Sequence, residues 1–390
     1  MSLRTKMAII LLVATVIPFV MGGAAVQLVV APAYRTAVRR VAEEQTRRLA
    51  EQVAWNIGVE ANRLEKLAAW SEMRDLTHKG ALSQAEAEAL ERRWSALSVS
   101  SDAVQPFIQN PIARELRWWR DTDAGVVEIL ATDAHGRLVA STGKTSDVLQ
   151  ADEYWWRAAF AGGQGRVYVS DVEPDPPTRT PAIQIAVPIY AEGAAGSKVV
   201  GVLKMTLDAP RILESVRLAR LGDRGESLVA DTRGTQLLAP PEGGLPARAL
   251  TPSEFRTLRQ APVGSRIFPG DDGGLLTAWA RVAAVTVTQG SPIRMPGLYV
   301  ITERSASEAF GPLWRVQQGM LFIGFVTVLI ALAVGSWLAD VLVVRQVRTL
   351  ARGMRELARG DFQRAEAIAD RLCSTHPPEH PSEPELAGRR

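Results

Sequence analysis

Two long apolar segments dominate the pattern of hydrophobic and polar positions along the chain. Residues 7–31 contain no charged side chain, and residues 320–344 contain only Asp340, near their end. A helix needs about 20 predominantly apolar residues to cross the hydrocarbon core of a bilayer. The pattern therefore predicts two transmembrane helices, residues 7–31 and residues 320–344.

Basic residues next to these segments predict which side of the membrane each flank occupies. Arg4 and Lys6 precede the first segment. Five arginines follow the second segment at close spacing, namely Arg345, Arg348, Arg352, Arg355 and Arg359. Lysine and arginine accumulate on the cytoplasmic side of membrane helices. Residues 1–6 are therefore predicted to be a cytoplasmic N-terminus, and the long region between the two helices is predicted to be translocated.

The first apolar segment also fits a second interpretation. A basic start, an apolar core and small residues at Gly22–Ala25 are features of a cleaved signal peptide. The apolar run continues beyond these small residues and merges into a long helical pattern, which favours an uncleaved anchor. The protein would then lie in the inner (plasma) membrane with two spans and its middle region outside the cytoplasm.

Residues 32–79 continue the first apolar segment with a helical pattern. Apolar side chains recur at spacings of three, four, seven or eight, and charged side chains fill the other face. At 1.5 Å per residue this helix would be about 70 Å long and would form a stalk above the membrane. Its second half is expected to pack on a sheet, and its first half to stand free or pair with a second subunit. A shorter helix is predicted at Gln84–Leu97.

Two similar segments predict β-hairpins in the middle region. Ile129–Ser141 and Ser227–Ala239 read ILATDAHGRLVAS and SLVADTRGTQLLA, each with an Asp-x-x-Gly turn between two β-rich runs. Asp bonds to turn amides and Gly tolerates the positive φ angle that such turns need. Two copies about 98 residues apart indicate a structural repeat and an α+β fold class with antiparallel sheets. Further strands are predicted at Gly165–Ser170, Ala182–Ile189, Val199–Leu207, Leu275–Val282 and Leu298–Thr302.

Composition narrows the chemistry that the protein supports. A net charge of +3 over 390 residues gives little support for nucleic-acid binding. The single cysteine, Cys373, excludes an intrachain disulfide. The four histidines lack metal-site spacing, and the translocated region shows no Ser/His/Asp or Cys/His constellation. We therefore predict no metal, no cofactor, no catalytic residue and a protein that is not an enzyme.

The order of elements between the two apolar segments resembles the double Cache family of extracytoplasmic sensor domains. The resemblance covers residues 35–315 and is carried by ILATDAHGRLVAS, ADEYWWRAAFAGGQGRVYVSD, IQIAVPIY, VVGVLKMTLD and GLYVITERSASEAFGPLWR. It implies a long helix followed by two PAS-like antiparallel-sheet modules, with small ligands held in the membrane-distal one. Residues 32–215 would form the stalk helix and the distal module, and residues 216–315 the membrane-proximal module.

The resemblance also indicates where a ligand would bind. In members that bind amino acids, an Arg precedes a Trp-Tyr pair on the pocket helix, and an Asp lies near the last distal strand. Here Trp155 and Trp156 occupy the pair, Glu153 stands in place of the Arg, and residues 203–206 contain no Asp. An amino-acid ligand is therefore not predicted.

The candidate ligand-binding residues combine aromatic walls with a few polar groups, as small-molecule sites do. They are Tyr154, Trp155, Trp156, Tyr168, Asp171 and Lys204. Packing of one of the two tryptophans in the core is the alternative, since adjacent residues of a helix point in different directions.

The sequence after the second apolar segment resembles part of a HAMP signalling relay. Residues 345–372 begin with RQVRTLARGMRELARGDF, whose apolar positions have the spacing of a parallel coiled coil and predict a homodimer. Residues 373–390 are rich in proline and are predicted to be disordered. Signal output would then pass to a separate cytoplasmic effector, such as a kinase, cyclase, phosphatase or chemotaxis protein.

These patterns lead to a primary hypothesis and two alternatives. The primary hypothesis is a transmembrane receptor that senses a small molecule outside the cytoplasm. The first alternative is a ligand-binding or scaffolding membrane protein, a degenerate receptor without its own signalling output. The second is an enzyme of the cell envelope, which the missing catalytic constellations disfavour.

Overall fold

The computed structural model divides the chain into two units. It describes residues 3–79, 82–174, 181–219, 225–237, 250–270, 273–286, 292–293, 297–341 and 345–358. The α+β unit is Arg35–Gly311, and the helical unit comprises Met1–Tyr34 with Pro312–Arg390. The proposed HAMP-like segment is therefore described only as far as residue 358, and the proposed tail at 373–390 lies outside the described residues.

Long apolar helices form the helical unit. Helix α1 (Leu3–Ala25) continues through a π-helical turn (Val26–Val30) into α2 (Ala31–Ala68), and α11 (Ala306–Ala339) carries the second apolar segment. Two helices, within Ile9–Ala68 and Ala306–Leu338, are long and apolar enough to cross a membrane. Residues 7–31 and residues 320–339 of the predicted segments therefore lie in helices that are candidate spans, and residues 342–344 lie outside the described residues. A further helix, α12 (Arg345–Ala358), follows.

Glycines allow close contact between the two candidate spans. A Cβ atom added to Gly324 would lie 2.0 Å from the ring of Phe19, and one added to Gly335 would lie 2.5 Å from Leu11. Small residues let helix backbones approach closely in the absence of a hydrophobic driving force. The phenylalanine and leucine side chains thus occupy the space that the glycines leave open.

Helix α2 buries one continuous face in the α+β unit. Its fully buried side chains recur every three or four residues, which is one stripe of an α-helix. They are Ala42, Thr46, Ala50, Val53, Ile57, Ala61, Leu64 and Leu67. Each large apolar side chain in this stripe contributes about 1.5–3 kcal/mol by leaving water.

The predicted helix 32–79 is wrong in one respect, because it is broken at Ala69–Trp70. The amide of Trp70 bonds to the carbonyl of Leu67 at 3.2 Å, and a new helix, α3 (Ser71–Lys79), follows. The turn redirects the chain so that Met73 and Thr77 are buried where α3 contacts the sheet. A straight helix would carry these side chains away from the sheet.

The distal sheet has six strands, all paired antiparallel. They are β1 (Val126–Asp133), β2 (Leu138–Ser141), β3 (Tyr168–Val169), β4 (Glu173–Pro174), β5 (Pro181–Tyr190) and β6 (Val199–Asp208). Their order is β2-β1-β6-β5-β3, with β4 also paired to β5. One face packs on α2 through a core that includes Ile129, Ile183, Ile185, Leu203 and Met205.

Short helices pack on the two faces of the distal sheet or connect this sheet to the proximal one. They are α4 (Gln84–Trp94), α5 (Gln105–Ile108), α6 (Pro111–Thr122), α7 (Tyr154–Phe160), α8 (Ala209–Ile212) and α9 (Glu214–Leu218). Helix α6 packs on the α2 side of the sheet, and α4, α5 and α7 pack on the other. The predicted helix Gln84–Leu97 corresponds to α4, which begins with a capping box between Ser83 and Glu86. The predicted strand Gly165–Ser170 shortens to β3.

The proximal sheet has four strands in the order β7-β12-β9-β8. They are β7 (Glu226–Ala230), β8 (Val263–Phe268), β9 (Leu275–Arg281) and β12 (Tyr299–Ser305), accompanied by α10 (Pro252–Leu258) and the small pair β10 (Val285–Thr286) and β11 (Pro292–Ile293). Strand β8 was not predicted. In the second predicted hairpin, the return arm makes only an isolated bridge from Gln236 to Ala230, and residues 238–239 lie outside the described residues.

The two Asp-x-x-Gly turns are alike in detail, which confirms the repeat. The carboxylate Oδ1 of Asp133 accepts from the amides of His135 (2.8 Å) and Arg137 (3.0 Å). The carboxylate Oδ1 of Asp231 accepts from the equivalent amides at 2.8 Å each, two and four residues on. Gly136 and Gly234 have φ angles of 76° and 87°. The same type of turn therefore follows the first strand of each sheet.

Helix α2 also contacts the proximal sheet, so its first half is not a free-standing stalk. Ser265 Oγ donates to Glu43 at 2.6 Å, and Arg39 donates to the carbonyl of Ser265 at 2.5 Å. The hydroxyls of Thr46 and Thr302 lie 2.6 Å apart. One helix therefore packs against both sheets of the α+β unit.

The first turn gives a direct test of this repeat. Gly136→Ala places a Cβ 2.6 Å from the amide nitrogen of Ala151 at a φ of 76°, so we expect a loss of about 1–3 kcal/mol in unfolding free energy. The control is Gly143→Ala, where nothing lies within 4 Å. Thermal unfolding of the full-length protein, followed by tryptophan fluorescence, measures both. Equal midpoints for the two variants would contradict the assigned turn.

Candidate functional site

A row of polar side chains lies on the face of the distal sheet opposite α2. Successive side chains of a strand alternate between faces, so Lys204 and Thr206 of β6 share this face while Leu203 and Met205 join the α2 core. Across the strands, Thr206 is paired with Glu128 of β1. The register thus places an ammonium, a hydroxyl and a carboxylate together on one face.

Helix α7 lies over this face and presents its two tryptophans. It follows Glu153 and ends at Ala161, whose φ of 49° stops the helix. Trp155 and Trp156 are 4% and 6% exposed, so both are buried even though they are adjacent. The two indoles contact different rows of the sheet, so each has its own partners.

Trp156 has the contacts of a structural residue. Its indole nitrogen donates to Thr132 Oγ1 at 2.9 Å, and its ring stacks on Phe160 with centroids 4.6 Å apart. The Thr132 hydroxyl in turn donates to the carbonyl of Val202 at 3.2 Å. A buried indole with its nitrogen paired in this way anchors α7 to strands β1 and β6.

Trp155 instead covers Lys204. The Lys204 Nζ atom lies 5.1 Å from the centroid of the Trp155 ring and 3.8 Å from Glu128 Oε2. Lys204 is only 9% exposed. An ammonium over an indole face gains cation–π attraction, which increases as water is excluded. Trp155, Lys204 and Glu128, with Thr206, are called the Lys204 cluster below.

Tyr168 borders the Lys204 cluster. It is paired with Ala186 of β5, which is paired in turn with Lys204, so these side chains form one cross-strand row. Burial, followed by the nearby Tyr154, Glu173 and Asp171, raises the pKa of Tyr168 to about 12. Its phenol therefore stays neutral at physiological pH. Tyr154 contacts Tyr168 edge to face at 5.6 Å and is itself 68% exposed.

Asp171 is not brought into the Lys204 cluster. Its side chain is exposed, and Oδ1 accepts a hydrogen bond from the amide of Gly297 at 2.9 Å. Gly297 lies just before β12 of the proximal sheet. Asp171 therefore joins the distal segment after β3 to the strand that leads into α11.

The structure thus brings four of the six candidate residues to the Lys204 cluster and gives the other two separate contacts. Trp155 and Lys204 belong to the cluster, Tyr168 borders it and Tyr154 lies at its edge. Trp156 lies on the same sheet face but anchors α7, and Asp171 contacts Gly297. Sequence reasoning missed Glu128 and Thr206. Glu128 precedes the predicted start of the first hairpin, while β1 begins at Val126, so a longer strand with its alternation would have found it.

Two cavities lie elsewhere on the α+β unit. One of about 380 Å³ is lined by Trp70, Glu72, Pro111, Ile112 and Glu115. The other, of about 140 Å³, is lined by Thr77, His78, Asp133, Ala134, His135, Arg137, Lys198 and Val200. At the first cavity Glu72 is exposed, and at the second the buried Asp133 carboxylate already accepts from Arg137 at 2.6 Å and from two turn amides. The Lys204 ammonium, in contrast, is buried with Glu128 no nearer than 3.8 Å. We therefore place the candidate site at the Lys204 cluster.

Among the residues that the structure describes, no three His, Cys, Asp or Glu side chains are positioned to hold a metal ion together.

The sequence profile of the double Cache family, described as "Cache domain", matches residues 34–313. The chain therefore belongs to the double Cache family. No curated protein matches the chain.

Solved structures of chemoreceptor domains are similar to this chain. The ligand-binding domain of Campylobacter jejuni chemoreceptor Tlp3, in complex with 4-methylisoleucine, is 12% identical, with 71% of this chain and 96% of that one covered and a TM-score of 0.44. That of Pseudomonas fluorescens chemoreceptor CtaA, with L-leucine, is 13% identical, with 72% and 99% covered and a TM-score of 0.42. That of Pseudomonas aeruginosa PAO1 amino acid chemoreceptor PctB, with L-Gln, is 14% identical, with 69% and 92% covered and a TM-score of 0.40.

The anchoring role of Trp156 gives a prediction for stability. Thr132→Val keeps the shape of the side chain but leaves the buried Trp156 N–H without its acceptor, so we expect a loss of about 1–3 kcal/mol. Thr132→Ser retains the hydroxyl and should lose less. A double-mutant cycle with Trp156→Phe, measured by thermal unfolding, isolates the pair. Additive effects of the two substitutions would show that the hydrogen bond does not contribute.

Proposed function

We propose that this protein is a transmembrane receptor that binds a small molecule outside the cytoplasm through its distal module. The observation that carries the proposal is the Lys204 cluster, a partly polar site beneath Trp155 in a Cache sensor domain. Convergent polar groups with aromatic walls are what small-molecule sites present. The two candidate spans that flank the domain support a location in the plasma membrane.

A connected set of contacts supports signal relay from the distal site. Tyr168 borders the cluster, and three residues later Asp171 accepts from Gly297 at the start of β12. Val172 shares one apolar core with Leu298 and Val300 of the proximal module. Strand β12 passes directly into α11, where Arg304 pairs with Glu308 at 3.1 Å. A shift of β3 on ligand binding would therefore displace the helix that forms the second candidate span.

Helix α12 supports a cytoplasmic output through a second copy of the chain. Its side chains Val347, Leu350 and Met354 are 57%, 53% and 68% exposed and have the 3-4 spacing of a coiled-coil seam. We propose that this seam pairs in a homodimer and passes the signal to a separate effector, such as a kinase, cyclase, phosphatase or chemotaxis protein. In this proposal the protein itself catalyses no reaction.

Ligand binding is tested with a small-molecule library on the full-length protein in lipid nanodiscs. We expect at least one compound class to raise the thermal midpoint, because a ligand at 100 times its Kd stabilises the folded state by about 2.7 kcal/mol. Trp155→Ala should abolish the shift, since it removes the wall that covers Lys204.

The matched control is Trp118→Ala, because Trp118 belongs to the same module, is 57% exposed and lies outside the cluster. This variant should keep the full ligand response. A response that survives Trp155→Ala would place the ligand elsewhere, and a library without any stabilising compound would favour the degenerate receptor.

The proposed topology predicts opposite labelling of two cysteines. Cys373 is the only cysteine of the chain and follows the second candidate span. A membrane-impermeant maleimide should label it only after the cells are permeabilised. In a Cys373→Ser background, Ser100→Cys, at an exposed site of the distal module, should react in intact spheroplasts. Labelling of Cys373 in intact spheroplasts would rule out this topology.

A further inference from the structure

Two polar groups of the Lys204 cluster, the Lys204 ammonium and the Thr206 hydroxyl, make no hydrogen bond to the residues that the structure describes. Lys204 is nine-tenths buried, yet its ammonium donates no hydrogen bond to any residue that the structure describes, because Glu128 Oε2 is 3.8 Å away. Thr206 is 1% exposed, and within the same described residues its hydroxyl has no partner. Buried polar groups are normally paired, and each exception requires an explanation.

The two groups face the same space. Thr206 follows Lys204 by two residues on β6, so both side chains leave the same face about 6.6 Å apart along the strand. Glu128 is the cross-strand partner of Thr206, and the Lys204 ammonium approaches it. The ammonium and the hydroxyl are thus directed to one part of the sheet, where each can donate to a shared acceptor.

The surroundings supply donors and apolar walls for such an acceptor. Trp155 covers the ammonium, and Tyr168 lies in the same cross-strand row as Lys204, with the small side chain of Ala186 between them. Tyr168 stays protonated, since its pKa is raised to about 12, and so offers a further donor. The one acid of the cluster, Glu128, already faces a cation.

We infer that the ligand of the distal module is a small organic carboxylate with an apolar or aromatic body, bound through its carboxylate to Lys204 and Thr206. This inference rests on the proposed function and adds the ligand class to it. The carboxylate accepts from the ammonium and the hydroxyl, and the body of the molecule packs on Trp155 and Tyr168. A ligand amino group is not required, because it would lie beside the Lys204 charge.

Pairs of compounds that differ only in charge test this inference on the full-length protein in nanodiscs at pH 7.5. The probes are benzoate with benzamide, phenylacetate with phenylacetamide, and hexanoate with hexanamide. At least one carboxylate should bind roughly tenfold or more tightly than its amide, since hydrogen bonds to charged groups are worth that much in affinity. Titration calorimetry measures Kd, and the thermal shift confirms binding.

Three variants assign the effect to the cluster. Lys204→Met removes the ammonium at similar length and should abolish the preference for the carboxylate. Thr206→Val keeps the shape and should weaken carboxylate binding several-fold. Glu128→Gln should strengthen it, because the substitution removes the like charge, whereas a ligand bound through an ammonium would bind more weakly to this variant. Comparison of each carboxylate with its amide needs no variant, so the test survives if Lys204→Met fails to fold.

Equal affinity for carboxylates and amides would overturn the inference, and so would carboxylate binding that is unchanged in Lys204→Met or weakened in Glu128→Gln. A second outcome is that no carboxylate binds, but another library compound does and its binding is lost in Trp155→Ala. The ligand class is then wrong and the receptor function stands. If neither the probes nor the library stabilise the protein, the receptor function fails as well.

Discussion

The packing of α2 against both sheets is the constraint on which the α+β unit depends. Ile57 and Leu64 belong to the core beneath the distal sheet, while Ala42 and Thr46 contact the proximal one. Because α2, together with α3 and α6, fills one side of the distal sheet, only the other face is available for α7. The Lys204 cluster lies on that face, so the packing of α2 determines which face of the distal sheet carries it.

The buried polar groups of the distal sheet differ in whether their hydrogen bonds are satisfied within the described residues. Asp133 and Thr132 are buried, but their hydrogen bonds are satisfied by the turn amides and by Trp156. Lys204 is 9% and Thr206 is 1% exposed, and neither makes such a hydrogen bond within the described residues, although the Lys204 ammonium lies near Glu128 and over the ring of Trp155. Burial of an ammonium costs several kcal/mol, and these two contacts offset part of that cost. The proposed carboxylate would complete the hydrogen bonds of both groups.

A hydrogen bond and a shared apolar core connect the distal module to the proximal one. Asp171 and Val172 follow directly after the strand that holds Tyr168, and they reach Gly297 and the core around Leu298. From there β12 runs without interruption into α11. The border of the cluster and the start of α11 are thus joined by a hydrogen bond, apolar contacts and one continuous strand, and this path is the basis of the proposed relay.

Short-range sequence patterns determined many of the helices and strands of this protein. Continuous apolarity defined the two candidate spans, periodicity defined α2 and α4, and alternation with Asp-x-x-Gly turns defined β1, β5, β6 and the repeat. These features depend on neighbours within one turn or one hairpin, so the sequence alone contains them. The break at Ala69–Trp70, the partners of Trp156 and the position of Asp171 were decided by the tertiary structure. So was the meeting of Glu128, Lys204 and Thr206, because cross-strand register brings together residues some 75 positions apart, and no local pattern encodes that register.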